Sequence, residues 1–233
     1  IKVVGSVLDI SDMKYAAEKI QESLEEKESL IRELYHRTKN NMQVICSMLS
    51  FRTREIKDES IRAVFNDMKN RIYSMALVHQ KLYSSKSLAR INLREYVVEL
   101  TGTVIRSYER AHGHISTRFS MEDVFVNIDT AIPFGVALHE LVANTCKYAF
   151  AAGEEGEVFM SLHEHPGGVI EFVMADNGTG VELVDGIPVN SRMGLKTAYA
   201  LICDQLHGEV RAESEKGLKY MIRFRDLEKK HRY

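Results

Sequence analysis

The sequence contains no tryptophan, three prolines and three cysteines. Cys46, Cys146 and Cys203 lie far apart and form no Cys-x-x-Cys pair, which argues against a disulfide framework and against a zinc site of paired cysteines. Each cysteine occurs in an apolar stretch, so we expect buried, reduced thiols. Reduced thiols are typical of the cytoplasm, which is the predicted location.

An excess of charge of either sign is also lacking. Lys and Arg total 31 against 33 Asp and Glu, a formal net charge of −2, so no basic field favours nucleic acid or an anionic membrane surface. No apolar run approaches the roughly 20 residues that span a bilayer, and no signal peptide pattern opens the sequence. We therefore predict no nucleic acid partner and no membrane segment, whereas 45% hydrophobic residues indicate a globular core.

Glycine and proline are absent between Met13 and Ile56, where apolar residues recur at helical spacing. A continuous helix there would be about 65 Å long. Asp58 is positioned to cap a second helix that ends near Ser84 and Ser85. Because the connecting turn is short, we expect an antiparallel hairpin whose apolar stripes pair with a second copy in a four-helix bundle, and hence a homodimer. The stripes consist of Ile20, Leu24, Ile31, Leu34, Thr38, Met42, Ile45 and Leu49, and of Ile61, Phe65, Met68, Ile72, Met75 and Leu82.

The second half of the chain mixes strand and helix patterns. Asn92 to Glu95 has the form of a capping box and predicts a helix that runs to about Ala111. The order of these elements predicts a sheet covered by helices on one face. We place the domain boundary near Ser85–Ile91. The predicted strands are Ile115–Phe119, Val124–Ile128, Glu157–His163, Val169–Ala175, Glu209–Ala212 and Tyr220–Phe224, and the predicted helices are Pro133–Phe150 and Gly194–Leu206.

Two motifs in this half indicate a nucleotide pocket. Glu140, Asn144 and Lys147 follow one another at helical spacings of four and three, so their side chains share one helical face. Asp176 precedes a glycine-rich turn that ends at Gly180 and could hold a purine. Alone, the helical motif could be a solvated polar stripe and the second an ordinary turn. Their conjunction favours nucleotide binding.

A third motif lies in the middle of the first predicted helix. His36, within Tyr35–Gln43, is rotated away from the seam positions Leu34 and Thr38 and should face solvent. A lone exposed histidine is usually a polar surface residue. The predicted pocket downstream gives this one a chemical role.

Glu33–Gln43 and Asn70–Tyr83 resemble the dimerisation and phosphoacceptor hairpin of two-component sensor histidine kinases, in the subfamily whose acceptor motif is His-Arg-x-Lys-Asn. His139–Ala149, Asp176–Gly180 and Met193–Leu195 resemble the N, G1 and G2 boxes of the GHKL (Bergerat) ATP-binding fold. The related HWE kinases also carry a Trp-x-Glu signature, so a chain without tryptophan is a neighbour of that group. The resemblance implies an α + α/β protein, a two-helix hairpin followed by a GHKL α/β sandwich.

The resemblance also divides the chain. Ile1–Leu8 alternates like the end of a strand, and Asp9–Asp12 resembles the junction between a PAS sensor domain and a signalling helix. The expected domains are therefore a PAS-like end at 1–12, the signalling helix and hairpin at 13–88, and the ATP-binding domain at 89–233. Since the first residue is not Met, we expect the chain to be part of a longer protein.

The activity implied by the resemblance is ATP-dependent autophosphorylation of His36 and transfer to an aspartate of a response regulator. A neutral imidazole suits the attack on the γ-phosphorus. In the commoner subfamily a carboxylate follows the acceptor directly, but here that position is Arg37. Glu33, one turn earlier on the same face, is the candidate substitute for orienting the ring.

Carried over by position, the pocket residues take the following roles. Asn144 would ligate Mg²⁺, Lys147 would contact phosphate, and Glu140 would order a water near the metal or act as a base. Asp176 would accept a hydrogen bond from the adenine amine. The remaining predicted ATP contacts are Tyr148 on ribose or base, Gly178 and Gly180 beside the ring, Gly194 and Leu195 at a helix N-terminus facing phosphate, the flanking Arg192 and Lys196, and a lid at 181–193.

One departure from the family pattern concerns the base site. The family usually has Gly-Thr near the C-terminus, whereas this chain has Gly217-Leu218.

Two other functions stay open at this point. A serine kinase of the anti-sigma type uses the same ATP fold without an acceptor hairpin, and a non-catalytic dimer could bind nucleotide merely to relay a conformational change.

Overall fold

The computed structural model describes residues 11–84, 90–112, 114–151, 153–184, 186–189 and 193–227. Outside the described residues lie the predicted strand at Ile1–Leu8, the first half of the PAS-like junction, most of the predicted domain boundary at 85–91 and Arg192. Within the described ranges, none of the helices is both long and apolar enough to cross a bilayer.

Two long helices form the N-terminal part: α1, Ser11–Glu55, and α2, Glu59–Ser84. Asp58 caps α2 as predicted, because its Oδ1 accepts hydrogen bonds from the backbone N–H groups of Ser60 at 2.8 Å and Ile61 at 3.2 Å. The helices are antiparallel: the Tyr35 and His79 rings lie 5.8 Å apart, and the Cys46 thiol donates to the Lys69 carbonyl. The predicted hairpin is confirmed.

The hairpin leaves an apolar surface uncovered in the single chain. Leu34, in the predicted seam of α1, is 62% exposed, and Met68 in that of α2 is 50% exposed. Apolar side chains at helical spacing favour burial against another helix. The exposed members of the hairpin include Ile20, Leu24, Leu30, Ile31, Leu34, Val44, Ile45, Met48, Phe51, Ile61, Val64 and Met68.

A five-stranded sheet organises the rest of the chain. Its spatial order is β2-β4-β5-β9-β8, with β2 and β4 parallel and the other neighbours antiparallel. Burial alternates along β4 and β5, so one face of each strand lies in the core. The bounds are β2, Ile115–Met121; β4, Gly156–His165; β5, Val169–Asp176; β8, Glu209–Glu215; and β9, Gly217–Arg225.

The buried face of the sheet is packed against three helices: α3, Leu93–His112; α4, Ile128–Tyr148; and α5, Met193–Ala200, which continues as a π-helical turn at Leu201–Gln205. In the core, Phe134 of α4 meets the Phe172 ring edge-on, with centroids 5.3 Å apart. Two short antiparallel pairs complete the domain: β1, Ile91–Asn92, with β3, Phe125–Val126, and β6, Leu183–Val184, with β7, Ile187–Pro188.

The structure corrects four predictions of detail. The strand expected at Val124–Ile128 is only Phe125–Val126, because α4 begins at Ile128, ahead of Pro133. The Asn127 side chain accepts from the Thr130 backbone N–H at 3.0 Å and caps the helix there, so Pro133 lies inside the helix. The helix predicted at Gly194–Leu206 changes to a π turn at Leu201, and Cys203 is exposed rather than buried.

The hairpin and the α/β domain share one core. Leu77 and Val78 of α2 are buried together with residues of α3 and α4. The Tyr96 hydroxyl of α3 is also buried and donates to the Ser74 carbonyl of α2 at 3.2 Å. These contacts fix the C-terminal half of α2 against α4, the helix that carries the predicted N box.

Candidate nucleotide site and acceptor histidine

Helix α4 and the strand ends beside it enclose a solvent-open cavity of about 220 Å³. It contains side chains from both motifs that predicted a nucleotide pocket, Asn144 on α4 and Asp176 at the end of β5. Strands β5 and β9 are neighbours in the sheet, so Leu218 of β9 lies beside Asp176 at the end of β5. The lining residues are Asn144, Thr145, Tyr148, Ala149, Asp176, Gly180, Val181, Pro188, Val189, Leu195, Leu218 and Tyr220.

The Asp176 carboxylate is held by three donors. Its Oδ1 accepts from the backbone N–H groups of Gly178 at 3.0 Å and Leu218 at 3.1 Å, and its Oδ2 accepts from the Thr145 hydroxyl at 3.3 Å. Burial raises the pKa of Asp176, while the hydrogen bonds from Gly178, Leu218 and Thr145 oppose that shift. An oriented carboxylate at the wall of an apolar cavity suits recognition of a base amine.

Glycines allow close approach of the backbone around this carboxylate. A Cβ at Gly178 would collide with the Ala149 carbonyl oxygen, and one at Gly217 would collide with the Asp176 carbonyl oxygen. Gly180 and Gly217 also have positive φ values of 70° and 94°, a backbone conformation that residues with a side chain rarely adopt. The glycine-rich turn therefore serves the geometry of Asp176, although Gly178 itself does not line the cavity.

The predicted phosphate contacts are less closely assembled. The Lys147 ammonium lies 5.5 Å from the Tyr108 ring centroid, and neither Lys147 nor the exposed Lys196 lines the cavity. Leu195 does line it at the start of α5. Phosphate binding by Lys147 stays a prediction, and it requires its side chain to leave the Tyr108 ring.

Glu140 joins the α/β domain to the hairpin. Its Oε1 lies 2.7 Å from the Nε atom of Arg71 in α2, and the two side chains are 4% and 24% exposed. Its Oε2 occupies the place where a Cβ at Gly194 would lie. Glu140 is thus packed between α2 and the start of α5. The sequence analysis did not identify Arg71, because helical spacing within one motif carries no information about a partner on a distant helix.

His36 is exposed on α1, as predicted. Its Nδ1 lies 3.3 Å from the side-chain nitrogen of Asn40, one turn along the helix. Glu33 is bonded to Arg37 instead, with 2.7 Å between the Glu33 Oε1 and the Arg37 Nε. That hydrogen bond is the main cause of the lowered pKa of Glu33, to which the charge of nearby His36 contributes less. Asn40 is therefore in contact with the imidazole, and the sequence analysis had assigned it no role.

The chain is similar to known histidine kinases in sequence and in fold. Residues 33–108 match the HisKA_2 family, described as histidine kinase. The chain is 25% identical over 209 residues to the sensor histidine kinase PdtaS of Mycolicibacterium smegmatis, which covers 90% of this chain and 41% of that protein. It is 26% identical over 223 residues to PdtaS of Mycobacterium tuberculosis, covering 94% and 44%. The chain spans less than half the length of these relatives.

The fold agrees with this assignment. The histidine kinase domain of the Erythrobacter litoralis EL346 blue-light activated histidine kinase aligns with a TM-score of 0.63 at 17% identity, over 88% of this chain and 96% of that one. At such identity the match supports the architecture alone, a helical part followed by a mixed α/β domain. Residues 33–108 thus match a histidine kinase family, and most of the chain is similar to sensor histidine kinases.

Proposed function

We propose that this chain is a kinase core that autophosphorylates His36 from Mg·ATP and passes the phosphoryl group to a response-regulator aspartate. In the first step the bond between an imidazole nitrogen and the γ-phosphorus forms, the β–γ bridging P–O bond breaks, ADP leaves and the imidazole proton is released. The observation that carries the proposal is the cavity in which Asp176 is oriented by backbone donors, in a chain that also presents His36 to solvent.

Mg²⁺ is compatible with the donors present. Asn144 is half-buried and lines the cavity, and its amide oxygen is the kind of ligand that Mg²⁺ accepts alongside phosphate oxygens and waters. In the described parts of the chain no cluster of three His, Cys, Asp or Glu side chains could hold the metal without the nucleotide. Asn144 would therefore bind Mg²⁺ that arrives with ATP, and Mg²⁺ would neutralise charge on the phosphates.

Asn40 supports His36 as a nucleophile. The oxygen and nitrogen of an asparagine amide are interchangeable in assignment, so the 3.3 Å contact also fits a Nδ1–H that donates to the amide oxygen. With the proton fixed on Nδ1, the lone pair of Nε2 is the nucleophile. In this arrangement Asn40 selects the tautomer, and Glu33 stabilises the positive charge that develops on the ring.

The proposed dimer and the proposed partner rest on the same hairpin. The exposed apolar residues of α1 and α2 favour pairing with a second copy as a four-helix bundle. The exposed position of His36 leaves it accessible to a receiver domain after phosphorylation.

The proposal is tested by incubating the chain with γ-labelled ATP and mapping the labelled residue. Phosphohistidine is labile in acid and stable in alkali, and phosphoserine has the reverse pattern. Label on His36 with the first pattern, followed by transfer to an aspartate of a receiver domain, is expected. Phosphoserine would favour the anti-sigma type of kinase, and nucleotide binding without any label would favour a non-catalytic dimer.

Glu33→Ala is expected to slow autophosphorylation by about a hundredfold, the lower end of what a positioned acid–base group contributes. The reason is the loss of a negative charge one helical turn from the imidazole, where positive charge develops during the attack. Initial rates of label incorporation at saturating ATP measure the effect. Glu26→Ala, which removes an exposed glutamate about two turns earlier on α1, is the matched control and should leave the rate unchanged. An unchanged rate in the Glu33 variant would remove this residue from the mechanism.

Arg71→Ala is expected to reduce the kcat of autophosphorylation about tenfold or more, with a KM for ATP within about twofold. Arg71 holds the nearly buried Glu140 as an ion pair, and leaving that buried carboxylate without its partner costs about 1–3 kcal/mol or more. The nucleotide cavity does not include Arg71, so binding should persist. Arg62→Ala, which removes an exposed Arg62–Glu59 pair from the same helix, is the control. A faster Arg71 variant would instead mean that the pair restrains the kinase.

A further inference from the structure

Thr145 takes part in the candidate base site from an unexpected position. It is on α4 directly after Asn144, its side chain is 4% exposed, and it lines the cavity. A threonine inside a helix commonly donates its hydroxyl to the carbonyl one turn earlier. The Thr145 hydroxyl donates to the Asp176 Oδ2 instead, a contact between residues 31 positions apart. Threonine is a weak helix former, so the hydrogen bond to Asp176 explains a threonine at this buried helical position better than helix propensity does.

The two oxygens of Asp176 have separate surroundings. Oδ1 already accepts two backbone N–H groups, from Gly178 and Leu218. Oδ2 accepts only the Thr145 hydroxyl among the hydrogen bonds described for this carboxylate, and an ionised carboxylate oxygen has room for a second donor. Oδ2 is therefore the oxygen that can accept from a ligand in the cavity.

Because residue 218 is a leucine, the side-chain hydroxyl that bonds to Asp176 comes from Thr145 on α4. Its backbone N–H holds Asp176, while its side chain supplies apolar wall to the same cavity and has no polar atom. Thr145 and residue 218 thus face one carboxylate from opposite elements, α4 and β9. A threonine at position 218 would bring a hydroxyl to the wall of the same cavity.

We propose that Thr145 is a specificity-determining residue, which orients the Asp176 carboxylate so that Oδ2 accepts a hydrogen bond from the amine of adenine and rejects bases with a carbonyl at that place. The inference rests on the proposed binding of ATP in this cavity. Hypoxanthine differs from adenine at this group, since it carries an oxygen where adenine has the amine. A carboxylate repels that oxygen, and a site built around a hydrogen bond rejects analogues that cannot form it.

The experiment measures the dissociation constants of ATP and ITP for the whole chain by calorimetry. Wild type should prefer ATP. Thr145→Val keeps the shape and removes the hydroxyl, and should lower the ITP-to-ATP ratio of dissociation constants about tenfold, equivalent to about 1.4 kcal/mol. Most of the change should be weaker ATP binding. In autophosphorylation the loss should appear as a raised KM for ATP, because the hydroxyl bonds to the carboxylate of the base site.

Two further variants separate positioning from packing. Thr145→Ser retains the hydroxyl and should keep the ratio within twofold of wild type. Leu218→Thr introduced into the Thr145→Val chain should recover most of the lost preference, because it returns a hydroxyl to Asp176 from β9. Should the valine chain fold poorly by circular dichroism, Thr145→Ala provides the same loss of hydroxyl with a better helix former.

The outcomes distinguish this inference from the proposed function. An unchanged ITP-to-ATP ratio in folded Thr145→Val or Thr145→Ala, or equal loss in Thr145→Ser, would overturn the role of Thr145 and leave ATP binding intact. Wild type that binds neither nucleotide would overturn the proposed function itself. A preference that falls in the valine variant and returns with Leu218→Thr would support the role.

Discussion

His36→Gln should abolish incorporation of label from γ-labelled ATP, while the chain continues to fold and to bind nucleotide. The imidazole nitrogen is the proposed nucleophile, and an amide nitrogen has no lone pair of comparable basicity to replace it. His36 is exposed on α1, where substitutions change the free energy of unfolding by roughly 0.5 kcal/mol or less. The nucleotide cavity does not include it, so the dissociation constant for ATP should be unchanged.

His114→Gln is the control for this variant. His114 is another exposed histidine, at the start of β2, and its loss should leave labelling unchanged. Residual label above a few per cent in His36→Gln would show that another residue accepts the phosphoryl group. The same result with alkali-labile label would favour the serine kinase.

The helical hairpin follows from its sequence because its signals are local. A stretch without glycine or proline carries an apolar repeat through α1, and Asp58 provides both the end of the turn and the cap of α2. The same kind of signal placed α3, where the Asn92 Oδ1 accepts from the Glu95 backbone N–H at 3.3 Å. Alternation located β4 and β5, since each strand buries one face.

Local signals misplaced the start of α4. Pro133 indicated a first turn, but the Asn127 cap and the core packing of Phe134 favour a helix that begins at Ile128. The π turn at Leu201 likewise follows from how the end of α5 packs, with Ile202 and Leu206 buried in the core. No residue pattern in the sequence predicts it. Propensity and periodicity cannot weigh tertiary packing, which decides both cases.

The residues of the candidate site were likewise predictable only where the signal is local. Motif spacing identified Asn144 and Asp176, and both line one cavity because α4 packs beside the end of β5. The partners that orient the motifs come from distant elements: Arg71 of α2 for Glu140, and Thr145 of α4 for Asp176. Such pairs depend on how helices and strands dock, so a single sequence does not indicate them.

Asn144→Ala should lose Mg·ATP-dependent labelling by about a hundredfold or more, because the metal would lose its protein ligand and the phosphates their fixed position. The fold should be preserved, since Asn144 is half-buried at the cavity wall and alanine has a higher helix propensity. Label incorporation is measured across a Mg²⁺ titration. Binding of ADP in the presence of a chelator, where the base contacts dominate, should change by less than about threefold.

Asn66→Ala, which removes a half-buried amide from α2, is the control and should label at the wild-type rate. The metal dependence gives the sharper test. If Asn144 ligates the metal, the variant should require a higher Mg²⁺ concentration for half-maximal rate, whereas a merely structural role would lower the rate equally at every concentration. A normal rate and an unshifted Mg²⁺ titration would contradict the assignment of Asn144 and leave Asp176 and its donors as the supported part of the nucleotide site.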